Sequence, residues 1–479
     1  MQNTQLVQLL KILTAKELKQ FKAYLHKLDR PSNKLAIKLF LKLNKYAPHY
    51  DTPKLDRSKI AHYLFDSKDI QALNKIAFTL KTILEEFLVF LEIENNSLLK
   101  QQLLLKALKD RNHPSYSKRS KQLIETIQNS TDKEVDHLTL FQLNAALSSD
   151  ANTAKIGSDL QELYAANQHL DQFYFYHKLK IILEHNLSEK INSLTWSIEQ
   201  GVELIEIVKE HTTLKKDPTI GLLLLAIQLI ATPQKENYLQ MKASLFREAH
   251  QLSKKDMQDF FITLTVYYNQ LLSTDVSFYT QEGFELYKFA DQLDLLVING
   301  RIRAVEYTNA ASVGFNTKNE EWTHDFIQRN KKFLAPNIRS ALYAYVRAVN
   351  YFRKGAFDEV IVLLYPFNNN ATLALDTNIL IRTLLIRTNF ELCDQKEISS
   401  KEQQFLLSLS KRFKRFLNSS QQLSSKKTTS YLQFLHFFDQ LVKLQNASNS
   451  KKVKMLKKEI DENMTVALKG WLQSKLIAV

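Results

Sequence analysis

Leucine, isoleucine, valine and phenylalanine recur at three- and four-residue intervals along almost the whole chain, and no alternating strand pattern with hairpin turns interrupts them. Such spacing lines apolar side chains along one side of a 3.6-residue helix. Over 15–28, Leu18, Phe21, Leu25 and Leu28 share one side, with Lys16, Lys19, Lys22 and His26 opposite. Over 403–417, Leu406, Leu409, Phe413, Phe416 and Leu417 face Lys411, Lys414 and Arg415 across the helix, with Arg412 on the flank. Over 451–464 the apolar set is Val453, Leu456, Ile460 and Met464, and Lys451, Lys454 and Lys458 lie across from it. Every water-facing helix needs a polar outer side, so these basic faces alone assign no function.

The same pattern predicts helices over 6–12, 15–28, 32–46, 58–65 and 70–94, the second opened by Thr14 and Glu17 at capping-box spacing. Leu9-Leu10 through Glu17-Leu18-Lys19-Gln20-Phe21-Lys22, with Leu25, resembles the opening of death-fold domains of the pyrin and death-effector kind over some twenty residues. From about Leu98 the helices come in pairs whose first members start near 97, 133, 170, 219, 256, 298, 336 and 374, a period of about 36–42 residues with one longer step. Pairs that bury their apolar faces only against neighbouring pairs make an α-solenoid. The polar stretches 418–427 and 446–450 read as linkers, and helices over 429–444, 451–464 and 468–476 as end caps. The expected organisation is all-α: an N-terminal helical domain over 1–94, a solenoid of antiparallel helix pairs over 95–417, and a linker with capping helices over 418–479.

One repeat carries a family likeness. Ala348, Tyr351, Gly355, Phe357 and Asp358-Glu359 stand at the spacing of the tetratricopeptide motif, which they resemble. Val360 occupies the family's alanine position, Thr372 stands where its proline is expected, and Trp322 to Phe326 lie 35 residues before Phe357 to Ile361. The resemblance implies a concave groove lined by first helices. Carried onto this repeat, it nominates Tyr345, Phe352 and Arg353 as partner-binding residues.

Composition sharpens the fold class. The 479 residues include only 8 glycines and 8 prolines, against usual shares of roughly 7% and 5%. Parallel α/β folds need glycine in their phosphate loops, and β sandwiches need both residues in frequent turns. The net charge of +15 is bipolar: residues 1–50 carry +8, residues 401–479 carry +10, and the rest −3. Basic ends attract phosphate backbones or acidic partners, and Lys411, Arg412, Lys414 and Arg415 are candidate anion-binding residues. Lysine outnumbers arginine 50 to 15, which suits a solvated surface better than bidentate readout.

Catalytic motifs are missing. The closest glycines, Gly300 and Gly314, are too far apart for G-x-G-x-x-G, a P-loop or a G-x-S-x-G elbow. No H-E-x-x-H occurs, and the one cysteine, Cys393, builds neither a disulfide nor a thiolate zinc site; it reads as a small buried hydrophobe. His169 and His177 lie eight apart, about 12 Å along a helix, too far to share a ligand. Of Phe173-Tyr174-Phe175-Tyr176 at least one should face outward. The longest apolar run, 220–231, is too short to span a bilayer, and the chain start lacks a secretory signal, so a cytoplasmic protein is expected. The functional expectation is a non-enzymatic scaffold or adaptor without cofactor or metal, holding a protein or peptide partner in the solenoid groove. The alternative is a nucleic-acid-associated regulator using the basic terminal helices.

Overall fold

The computed structural model describes residues 1, 3–28, 33–129, 136–149, 159–192, 205–208, 210–211, 214–272, 275–368, 370, 373–393, 398–420, 423–444, 450–463 and 465–477. Of the described residues 83% are helical, with one short hairpin as the strand content. Helices start where short polar side chains can take the first free amides. Thr4, Asp56, Asp69, Asn96, Asp136, Asp217, Ser253 and Asp275 each accept from a backbone N–H one turn in. The Thr14–Glu17 capping box forms, with the Thr14 amide donating to Glu17 Oε2 at 2.7 Å and the Glu17 amide donating to Thr14 Oγ1 at 3.2 Å. Helix ends show how a glycine-poor chain turns. Gly355, at φ 75°, closes a Schellman motif after helix Pro336–Arg353, with amides 355 and 356 donating to the carbonyls of Phe352 and Tyr351. Asp294 and Lys318 take the same left-handed position after helices Val276–Gln292 and Ala304–Asn316.

Two compact units divide the chain, one ending at His169 and the other beginning at Leu170; this boundary coincides with neither of the expected divisions at 94 and 417. In the first unit, helices Gln5–Ile12, Ala15–Lys27, Lys34–Asn44, Arg57–Phe65 and Ile70–Asn95 enclose a core in which Phe21 meets Phe40 edge-on at 5.0 Å and Phe87 at 5.1 Å. In the second, packing runs between helices near in sequence. Helix Pro336–Arg353 touches Ala304–Asn316 before it, and Phe357–Leu364 and Leu375–Leu392 after it. Helix Ser400–Ser419 packs on Leu375–Leu392 and on Ser425–Leu444.

Several expected boundaries shift. The start near 170 falls inside the single helix Asp159–Asn192, and the one near 133 lies outside the described residues, the helix there beginning at His137. Near 298 stands a two-stranded hairpin instead, Val297–Ile298 against Arg301–Ile302, turned by Asn299 and Gly300 at φ 51° and 72°. Two positive φ values in a two-residue loop are a type I′ turn, for which Asn-Gly is the favoured pair. Of the linker expected over 418–427, residues 418–419 end helix Ser400–Ser419 and residues 425–427 begin helix Ser425–Leu444; 421–422, 446–449, Thr372 and Met464 lie outside the described residues.

Candidate functional site

Three helices of the second unit contribute one face each to a cleft of about 370 Å³. Helix Ala304–Asn316 presents Thr308, Asn309, Ala311, Ser312, Phe315 and Asn316; helix Pro336–Arg353 presents Tyr345, Val346, Val349, Phe352 and Arg353; helix Leu375–Leu392 presents Leu380, Leu384 and Arg387. Each set recurs at three-, four- and seven-residue steps, one stripe of a helix. Helices Glu320–Asn330 and Phe357–Leu364, which alternate with these, line none of it. The three nominated residues Tyr345, Phe352 and Arg353 therefore border one cavity. Tyr345 and Phe352 are half-buried and Arg353 is exposed, and burial pushes the Tyr345 phenol up to about 12.

Arg387 escaped the sequence reading. Its guanidinium lies over the Phe352 ring at 4.5 Å and the Trp471 ring at 5.4 Å. Desolvation lowers its pKa, against the opposing pull of Tyr345 and Glu391. The signal was present in the helix itself: Leu375–Leu392 buries residues almost all round its axis, so its two arginines could not both reach open water.

Arg382, the other arginine, borders a second cleft of about 340 Å³ with Tyr365, Asn389, Phe405, Leu409 and Arg412, and lies over Phe416 at 4.5 Å. Of the candidate anion-binding set, Lys411, Arg412 and Arg415 are exposed, whereas Lys414 is half-buried and donates to Asp439 at 2.6 Å. Phe413 is buried, but Phe405 on the same helix is 46% exposed. Lys16, Lys19, Lys22 and His26 are exposed in the first unit, and Lys451, Lys454 and Lys458 in the second.

Two clusters bring together chemistry that spacing did not reveal. Lys180 donates to Tyr176 Oη at 2.9 Å and Asp256 Oδ1 at 3.0 Å, lies 3.1 Å from Asp259 Oδ2, and Tyr176 donates to Asp256 at 2.8 Å. Burial disfavours the Lys180 ammonium, but these partners outweigh it and raise its pKa; the Tyr176 phenol is pushed up to about 12, chiefly by burial. A lysine held this firmly charged braces the helices and is no nucleophile at neutral pH. In the first unit, His137 Nδ1 stands 3.1 Å from His169 Nδ1, and burial followed by the His169 charge lowers His137 to about 4, against Asp136. His177, exposed, does not join them.

Cys393 is buried, its Sγ donates to the Asn389 carbonyl at 3.2 Å, and burial raises its pKa, so it packs as a small apolar residue. Tyr174 is the outward member of its run at 49% exposure, while Tyr267, Tyr268 and Tyr307 are core. Among the described residues no group of three or more His, Cys, Asp or Glu could hold a metal ion, and no helix is long and apolar enough to cross a membrane. Compared with protein-family models, curated proteins and solved structures, the chain matches none.

Proposed function

We propose that this chain is a non-enzymatic scaffold or adaptor whose second unit is an α-solenoid of tetratricopeptide-like helix pairs, receiving a protein or peptide segment in the cleft bordered by Tyr345, Phe352 and Arg353. The carrying observation is that three alternate helices give one stripe each to a single cavity while the helices between them give none. Helix pairs stacked in chain order produce that division of labour, because each first helix then stands beside the next first helix. The lining is mostly apolar with a few placed polar groups, the composition of a recognition site. A reducing cytoplasmic setting suits a chain whose only cysteine packs in a core.

A second reading, nucleic-acid association through the basic faces, draws on the exposure of Lys411, Arg412 and Arg415 and on Phe405 beside Arg412. It ranks lower because Lys414 is tied to Asp439 and Phe413 is buried, which leaves Phe405 and Tyr365 as the exposed rings of that cleft where single-strand binding wants a row of them along the basic face. Ser312→Trp, which plugs the cleft from the half-buried Ser312, together with Arg353→Gln, separates the two. Affinity capture and mass spectrometry should show protein partners lost from both variants and kept by Lys411→Gln/Arg412→Gln/Arg415→Gln. Partners unaffected by the plug, or released by nuclease, would refute the cleft reading.

A further inference from the structure

The cleft holds a cation with no acid beside it in the lining, Glu391 acting on Arg387 through charge alone. The Nε of Arg387 is screened from water and has no hydrogen-bond partner among the described residues, and no Asp or Glu lines the cavity. The carboxylates nearest the two arginines are engaged elsewhere. Glu391, one turn beyond Arg387, accepts from Trp471 Nε1 at 3.0 Å and from Lys475 Nζ at 2.6 Å. Glu320, the acid that acts on Arg353, accepts from Lys354 at 2.7 Å. A guanidinium N–H taken out of water without a hydrogen-bonded acid costs free energy, yet this group is held in a fixed plane. Phe352 and Trp471 face it, and the Glu391 bond pins Trp471 in turn. A planar donor fork with an unfilled edge, stacked on aromatic rings, is suited to a carboxylate.

Resting on the docking role given to this cleft, we propose that Arg387 is the anchor for an acidic side chain of a bound peptide. Arg353 adds charge at the rim. The apolar wall of Val346, Val349, Leu380 and Leu384 takes the aliphatic residue beside that acid. Charge complementarity commits the occupant to an acidic–apolar segment, because the cavity offers cations and apolar surface and no acid. Its volume admits two or three side chains and excludes a duplex.

The test selects random dodecapeptides on the full-length chain and measures one selected peptide, acetylated and amidated, by fluorescence anisotropy. Selected sequences should be rich in Asp or Glu beside an aliphatic residue. Arg387→Met, which keeps the stem packed between the rings, should weaken the peptide tenfold or more with unchanged helical circular dichroism. Replacing the acid in the peptide by its amide should cost the same factor on the wild type and nothing further on the variant. If the methionine variant unfolds, Arg387→Lys, which keeps the charge but not the fork, should give a smaller loss of the same pattern. Independent losses in that cycle, or a selection without acidic bias, would overturn the carboxylate contact. The same holds if the selected peptide binds only with its C-terminus left free, or if an added oligonucleotide competes through Arg387. If such peptides are still blocked by Ser312→Trp, the docking role stands and only the anchor fails. Peptides indifferent to that plug, or no selected peptide, would overturn the docking role itself.

Discussion

Replacing Gly314 by alanine is expected to loosen the packing of helix Ala304–Asn316, which lines the cleft, on helix Glu320–Asn330 behind it. A Cβ built there would lie 2.1 Å from Thr323 Oγ1, 3.1 Å from Trp322 Cζ3 and 3.2 Å from Thr323 Cβ. Thr323 has nowhere to go: it is fully buried, and its hydroxyl donates to the Asn319 carbonyl at 2.7 Å. Swinging it away costs that bond, about 1 kcal/mol, and overpacking adds about 1–3 kcal/mol. Better helix propensity returns about 1 kcal/mol, leaving a net destabilisation of about 1–3 kcal/mol. A chain of two units does not melt as one transition, so the assay is amide hydrogen exchange in helices Ala304–Asn316 and Glu320–Asn330, which reads the local opening free energy. Removing the obstructing hydroxyl with Thr323→Ala in the same molecule should recover much of the loss, a coupling of about 1–2 kcal/mol. The same substitution at Gly221, where a new Cβ meets nothing within 4 Å, should slow exchange in its own helix. Unchanged or slower exchange in Gly314→Ala would refute the close helix approach on which the cleft depends.

Two further outcomes are expected. Lys318→Gly should stabilise the end of helix Ala304–Asn316 by about 0.5–1 kcal/mol, because Lys318 sits at φ 60° in a cap that glycine adopts without strain; faster exchange of the 319 amide in the variant would contradict it. His137, held near 4 in the fold against a usual 6.5, refuses a proton that the unfolded chain accepts, so stability of the first unit is complete above about pH 6.5 and falls as pH drops toward 4. The loss should reach about 2–3 kcal/mol at pH 4, and His137→Asn should flatten the pH dependence of unfolding in that window; an identical slope in the variant would sink this assignment.

Much of the helical layout could be read from side-chain spacing. Helices Arg57–Phe65 and Ile70–Asn95 begin and end within a residue of where apolar periodicity put them, because each has one buried stripe and an Asp cap. Spacing failed where a helix lacks such a stripe: Asp159–Asn192 runs through an expected break with almost no preferred apolar side. The hairpin at Asn299-Gly300 was missed, a helix start being expected near 298, because two residues of strand on either side are too short to alternate visibly. In the site, Tyr345, Phe352 and Arg353 are nominated by the resemblance of 348–361 to the tetratricopeptide motif, and all three border one cavity. Arg387 is not, since its meaning comes from Phe352 and Trp471, one on an earlier helix and the other near the chain end. The contact of His137 with His169, 32 residues apart, likewise exists only after folding.

The most direct test of the central claim is to place a photo-crosslinking side chain at Ser312, Asn316 or Arg353 in the cleft and, separately, at Lys19, Lys411 or Arg415 on the basic faces. Each variant of the full chain is then irradiated in its native cell. Protein adducts should form from the cleft positions, survive nuclease treatment, and disappear when Ser312→Trp is combined with the probe at Arg353. Adducts confined to positions 19, 411 and 415, and carrying nucleic acid, would contradict a peptide-docking cleft.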